Sequence, residues 1–220
     1  MNFKNFLFGI LGGIVILQSI HFYYKRNVER KNWQLGTQLD ALANFTGSAD
    51  AALQAKLIIA ELKLTDPKTV ALGRSMLTEL ISQNIQEDVK IRAKLILARD
   101  IRNDDPEYAN TLFQEVAQQT LNSNEQLMAK YFIADQMAVK NPTAPFLEVA
   151  TLLESILDKA KEINKDLAAR IMVYLAMVVY KSDPKRAKAL LEEVSNQDFN
   201  KFAKELAEKK LQELKVVLKG

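Results

Sequence analysis

From Lys25 to the C-terminus, the apolar residues of the chain recur at helical spacing. They stand three and four positions apart, as on one face of an α-helix, and the alternation typical of half-buried strands is absent. Only four glycines, at positions 36, 47, 73 and 220, follow Lys25, too few for a fold with many β-turns. The pattern predicts an all-α fold of helical pairs, with first helices at 51–64, 88–102, 125–139 and 166–180 and second helices at 67–81, 106–121, 145–163 and 184–194.

Four prolines mark a repeat in this pattern. Consecutive members of the set are separated by 39 residues: Pro67, Pro106, Pro145 and Pro184. Aspartate precedes three of them, and Asp-Pro is a strong helix-start signal because the carboxylate accepts free backbone N–H groups and proline has none to leave unpaired. A fixed period of this size predicts an α-solenoid, in which each helical pair stacks on the next.

Three further features complete the predicted array. Residues 171–180 are apolar on every side but are too few to span a bilayer, so we expect them at the buried centre of the last pair. Residues 199–218, with apolar positions that include Phe199 and Phe202, predict an amphipathic helix that caps the array. Ser123 and Gln126 have the spacing of a capping box.

The N-terminal segment has a different pattern. The 19 residues from Phe6 to Tyr24 contain no Asp, Glu, Lys or Arg, and a helix needs about this length to cross ~30 Å of hydrocarbon. Lys25 and Arg26 follow at once, as at a membrane interface. A cleaved signal peptide is the alternative, but no small-residue cleavage site follows the apolar run. We predict an uncleaved transmembrane helix that includes Phe6, Gly9, Leu11, Gly13, Ile16, Tyr23 and Tyr24.

This anchor defines the predicted domain organisation. Residues 1–24 are a tail and transmembrane anchor, 25–48 a basic flank and stalk helix, and 49–220 a helical-repeat domain. Gly9 and Gly13 are four residues apart, a spacing that lets two membrane helices approach closely and allows a homodimer through the anchor.

The net charge of +3 is concentrated beside the anchor. The first 31 residues hold five of the 30 basic and one of the 27 acidic residues, which leaves 25 basic and 26 acidic residues in the rest of the chain. Such a nearly neutral body lacks the clustered Lys and Arg that bind nucleic acid. By the positive-inside rule, the basic flank after the anchor favours a cytoplasmic repeat domain, although the rule weakens when a long domain follows.

Composition also excludes most catalytic and metal sites. The chain has no cysteine and one histidine, His21, so thiol nucleophiles, Cys-ligated zinc and Cys–His dyads cannot form. It contains no phosphate loop, dinucleotide fingerprint, paired-His metal motif or nucleophile elbow. We predict a protein with no enzymatic activity, cofactor or metal.

Candidate partner contacts lie on the first helices. Arg92, Arg99 and Arg102 fall close to one helix face, where they could hold an acidic peptide, although Asp88 offers Arg92 a local partner four residues away. First helices line the concave surface of such arrays and carry large tyrosines, for which burial in the core is the alternative. The candidate contacts are Arg92, Arg99, Tyr131 and Tyr174.

Two segments resemble a known repeat. LARDIRNDDPEYANTLFQEV and LAMVVYKSDPKRAKALLEEV share an alanine, two large apolar residues and a valine at equal distances after the proline, and they resemble degenerate tetratricopeptide repeats. The usual large aromatic residue and glycine of the first helix are missing, and 39 residues exceed the usual repeat length. The layout of one membrane helix, an aromatic and basic flank (FYYKRNVERKNW) and then helical pairs resembles the bacterial tetratricopeptide-like family that includes the ancillary subunit of the Sec translocon.

The resemblance implies a single-pass inner-membrane protein whose repeat domain faces the periplasm and receives or holds translocated proteins. Its partners would be the Sec translocon or client polypeptides. Because the basic flank favours the opposite orientation, a cytosol-facing adaptor or receptor with the same repeat domain is the alternative.

Overall fold

The computed structural model describes residues 49–119, 123–140, 146–197, 199 and 201–217. The regular structure in these ranges is entirely α-helical, as the apolar spacing predicts. The helices are α1 (Ala49–Leu64), α2 (Val70–Ser82), α3 (Glu87–Ile101), α4 (Pro106–Ala117), α5 (Asn124–Lys140), α6 (Phe146–Ile163), α7 (Lys165–Val179), α8 (Pro184–Asn196) and α9 (Lys201–Val217). The chain divides into two compact units, Met1–Ala93 and Lys94–Gly220.

The predicted membrane anchor, Phe6 to Tyr24, and the stalk after it lie outside the described residues. Among the helices that the structure describes, none combines the length and the hydropathy that crossing a membrane requires.

In the first unit, α1 and α2 pack against each other, and the buried residues of α2 lie on one face. Leu57 on α1 and Leu77 on α2 are almost completely buried. The two helices approach closely at Gly73, where a Cβ atom would lie 2.8 Å from the carbonyl oxygen of Ala60. The absence of a side chain at Gly73 therefore permits this packing distance.

The helix start predicted at Pro67 is wrong, because α2 begins at Val70 and the preceding residues form a turn. The carboxylate of Asp66 accepts a hydrogen bond from the backbone N–H of Lys68 in that turn. The hydroxyl of Thr69 donates to the carbonyl oxygen of Lys63, 2.8 Å away. The turn residues thus bond to one another and to a free carbonyl at the end of α1, instead of capping α2.

In the second unit, each helix from α4 to α9 packs against the next, and α9 also packs against α7. Buried side chains of α5 to α9 form one apolar cluster. Its centre is α7, in which ten of 15 residues are buried, so neighbouring helices cover almost its whole surface. This confirms the burial predicted for residues 171–180, apart from an exposed Met177 and partly exposed tyrosines.

Two second helices, α4 and α8, begin in the same way. The carboxylate of Asp105 accepts from the N–H of Tyr108 at 3.0 Å, and that of Asp183 accepts from the N–H of Arg186 at 2.9 Å. The backbone angles of the two caps agree within a few degrees. Both helices bury the predicted positions, namely Ala109, Leu112, Phe113 and Val116 in α4 and Ala187, Leu190, Leu191 and Val194 in α8.

The capping box predicted before α5 is half formed. The hydroxyl of Ser123 accepts from the N–H of Gln126 at 3.2 Å, as expected. The side chain of Gln126 donates to the carbonyl oxygens of Ala117 and Gln119 instead of turning back to Ser123. It therefore ties α5 to the end of α4.

The C-terminal helix α9 is amphipathic, as predicted, and packs against α7 and α8. Phe199, Ala203 and Ala207 are buried at intervals of four residues. The sequence pattern predicts Phe202 on the same apolar face, but Phe202 is 68% exposed. One position from Ala203 corresponds to about 100° around a helix, which turns Phe202 away from the buried stripe.

Candidate partner-binding face

After its exposed first two residues, Lys165 and Asp166, helix α7 exposes only a narrow ridge. From Leu167 to Val179, every side chain is buried except Arg170, Tyr174 and Met177. Their spacing of four and three residues places them on one line along the helix. Because the apolar positions around this line pack against neighbouring helices, the ridge presents a cation, an aromatic ring and a thioether to solvent.

Helix α5 carries a matching set of partly exposed side chains, Met128, Tyr131 and Asp135, again at intervals of three and four residues. The ring of Tyr131 meets the ring of Tyr174 edge to face, with centroids 6.0 Å apart and planes at 71°. This is a favourable aromatic geometry. The tyrosine pair therefore joins the exposed stripes of α5 and α7.

Arg102, directly after α3, extends the surface to a third helix. Its guanidinium carbon lies 5.4 Å from the centroid of the Phe132 ring, and its Nη1 lies 3.8 Å from Oδ2 of Asp135. Both charged side chains are 39% exposed, so the ion pair contributes less than about 1 kcal/mol. Beneath them, Phe132 stacks on the fully buried Phe113 with centroids 5.1 Å apart. The stacked rings of Phe132 and Phe113 thus lie beneath the weak, accessible ion pair of Arg102 and Asp135.

We call this surface the first-helix face, because its side chains lie on or directly after α3, α5 and α7. Its residues belong to the second unit: Arg99, Arg102, Met128, Tyr131, Asp135, Arg170, Tyr174 and Met177. The sequence singled out both tyrosines, and the structure brings them into contact. It also singled out Arg99, which is exposed one turn before Arg102.

Arg92, the remaining candidate, lies in the first unit. Its Nη1 donates to Oε1 of Gln54 on α1 at 2.7 Å. Sequence spacing offers Asp88 as a local partner for Arg92, but the guanidinium bonds to a residue of a different helix. Arg92 therefore links α3 to α1 within its unit.

Sequence reasoning missed Asp135 and Arg170. Each stands four residues from a candidate tyrosine, Asp135 after Tyr131 and Arg170 before Tyr174. Since residues four apart share a helix face, this spacing was a usable signal. It could identify neighbours within each helix, whereas the contact between helices depends on packing.

The tyrosine hydroxyls hold their protons more tightly than usual. Burial raises the pKa of Tyr174 to about 12, helped by the negative charge of Asp135 and by Tyr131. Burial and Asp135 also raise the pKa of Tyr131, and the guanidiniums of Arg170 and Arg102 oppose that shift. Both hydroxyls are consequently protonated at neutral pH and can donate hydrogen bonds.

We expect the raised pKa of Tyr174 to make stability fall at high pH. The folded state holds this proton more tightly than the unfolded state, so the contribution is complete below pH 10 and is lost as the pH rises toward 12. Tyrosinate absorbance of the wild type and of Tyr174→Phe would be titrated with the protein folded and in urea. In urea, Tyr174 should ionise near pH 10, so Tyr174→Phe should have less tyrosinate absorbance there than the wild type. In the folded protein the two should have equal absorbance near pH 10, because Tyr174 is still protonated. A loss in the folded protein as large as that in urea would contradict this expectation.

The second helices present a different surface. Arg186 on α8 pairs with Glu154 on α6 at 2.7 Å, and Lys161 on α6 pairs with Glu193 on α8 at 2.7 Å. In these partly exposed pairs, each helix contributes one basic side chain and one acidic side chain. The surface between these two helices is therefore solvated and carries paired charges.

In the described ranges, no group of three or more acidic, histidine or cysteine side chains is placed to hold a metal ion. Comparisons with protein families, with curated proteins and with solved structures find no match to this chain.

Proposed function

We propose that this protein is a membrane-tethered, non-enzymatic scaffold that binds segments of other proteins on its first-helix face. The observation that carries the proposal is the contact between Tyr131 and Tyr174, which makes one surface from partly exposed residues of separate helices. Tyrosine, arginine and methionine are the residue types enriched in protein interfaces. In this proposal the chemistry of the protein is recognition alone.

The proposal includes an α-solenoid of tetratricopeptide-like pairs as the architecture. Support comes from the equivalent caps and buried positions of α4 and α8. Further support comes from a hydrogen bond between first helices, in which Nδ2 of Asn164 donates to Oδ1 of Asn124 at 2.6 Å. These residues are 40 positions apart, close to the proline period, and each stands at the start of its helix. In the proposed array, α9 closes the C-terminal end.

The proposed cellular role is to assist protein export or to hold translocated clients at the bacterial inner membrane. The uncharged run from Phe6 to Tyr24 supports an anchor, and the layout of the chain resembles the Sec-associated family. Tethering raises the local concentration of a binding domain near a membrane complex, so weak binding to many clients is sufficient. The partners are then the Sec translocon or its client polypeptides.

Site-specific crosslinking in bacterial cells tests this proposal. A photoreactive phenylalanine analogue would replace Tyr174 on the first-helix face or, as the matched control, Tyr108, which is 43% exposed on the second helix α4. We expect adducts with translocon subunits or exported proteins from position 174 and few from position 108. Equal yields at the two positions, or adducts with soluble cytosolic proteins alone, would contradict the proposal.

A cytosol-facing adaptor or receptor is the second candidate, because the four basic residues that follow the predicted anchor favour that orientation: Lys25, Arg26, Arg30 and Lys31. Protease added to spheroplasts distinguishes the two topologies. A periplasmic repeat domain should be digested, whereas a cytosolic one should stay intact until the membrane is opened.

A further inference from the structure

We propose that the first-helix face selects partner segments in which acidic side chains stand next to an apolar one. This inference rests on the proposed function and adds the chemistry of the partner. The acidic side chains would meet Arg170, and the apolar side chain would pack against the tyrosine pair and Met177.

The charges around the tyrosine pair favour an anionic partner. Two guanidiniums, those of Arg102 and Arg170, and one carboxylate, that of Asp135, act on the Tyr131 hydroxyl. Asp135 is engaged by Arg102. Arg170 is exposed, and its guanidinium lowers the pKa of Tyr131. Two guanidiniums against one carboxylate therefore leave a surplus of positive charge beside the Tyr131 hydroxyl.

The hydrogen-bonding groups at this point can all donate to an anion. Arginine only donates hydrogen bonds, and the two tyrosine hydroxyls keep their protons at neutral pH. A carboxylate accepts from such groups and gains the extra strength of a charge-assisted bond. A lysine side chain would bring another donor and a repelling charge to the same place.

The apolar part of the first-helix face can accommodate different apolar side chains of a partner segment. Tyr131 and Tyr174 offer ring surface, and Met177 is 42% exposed beside them on the α7 ridge. The methionine side chain is flexible and polarisable, so it adapts to apolar groups of different shape. Selection would then depend on charge more than on one particular apolar residue.

Peptide binding to the detergent-solubilised full chain tests this inference. The probes are two fluorescent synthetic peptides with blocked termini that are identical except for glutamate or lysine at the charged positions, and anisotropy reports binding. We expect the glutamate peptide to bind more tightly. Arg170→Glu should weaken its binding by about ten-fold or more, because a charge-assisted bond is lost and a repulsion is added. Lys185→Glu, an equal charge change at an exposed position on α8, should have little effect.

The other outcomes separate this inference from the proposed function. Preference for the lysine peptide, or equal weakening by Arg170→Glu and Lys185→Glu, would overturn the acidic selectivity. Absence of peptide binding together with specific crosslinks from position 174 would also overturn it and leave the scaffold proposal intact. Absence of both binding and crosslinks would reject the two proposals together.

Discussion

Replacing Phe113 with alanine should lower the free energy of unfolding by about 3–5 kcal/mol. Phe113 is fully buried on α4, and its ring stacks on that of Phe132 on α5 with centroids 5.1 Å apart. Truncation would remove this contact and leave a cavity beneath the aromatic ring that supports Arg102. Urea unfolding of the detergent-solubilised full chain, followed by far-UV circular dichroism, measures the effect.

Phe202→Ala is the matched control for that substitution. Phe202 is 68% exposed at the start of α9, so the same loss of a phenyl group should change stability by no more than about 0.5 kcal/mol. If Phe113→Ala were as mild as Phe202→Ala, the packing between α4 and α5 would be looser than the ring stack indicates.

The helices of this chain could be predicted from local signals in most places. Asp105 and Asp183 each bond to the N–H three residues on, so two Asp-Pro pairs mark the helix starts that the period predicts. The same pair at Pro67 fails because Thr69 binds the carbonyl of Lys63 and keeps these residues in a turn. The decisive contact there is the hydrogen bond from Thr69 to the preceding helix. The residue types around the proline do not predict this contact.

The binding face could be predicted only in part, for a similar reason. Helical spacing indicates that Tyr131 and Asp135 share one stripe and that Arg170 and Tyr174 share another. The contact between Tyr131 and Tyr174 spans 43 positions and depends on how α5 and α7 pack. Arg92 shows the limit most clearly, because its neighbour in sequence, Asp88, was a reasonable partner and its bond goes to Gln54 instead.

Gly73→Ala should destabilise the first unit by about 1–3 kcal/mol, although alanine is normally the better helix former by up to ~1 kcal/mol. Gly73 does not have a positive φ, so the backbone conformation alone would accept alanine. The obstacle is space, since the new Cβ would lie 2.8 Å from the carbonyl oxygen of Ala60 and 2.9 Å from Cδ2 of Leu64. The leucine can rotate, but the carbonyl oxygen is fixed in α1 and moves only if the two helices separate.

Ser75→Ala separates the steric effect from helix propensity, because Ser75 is exposed on the same helix and the substitution also ends in alanine. We expect this control to be neutral or slightly stabilising, within about 0.5 kcal/mol, in the same urea unfolding measurement. Hydrogen exchange would localise the loss caused by Gly73→Ala to the amides of α1 and α2. A stabilising Gly73→Ala would mean that the helices separate at little cost and that their close approach at Ala60 does not hold the unit together.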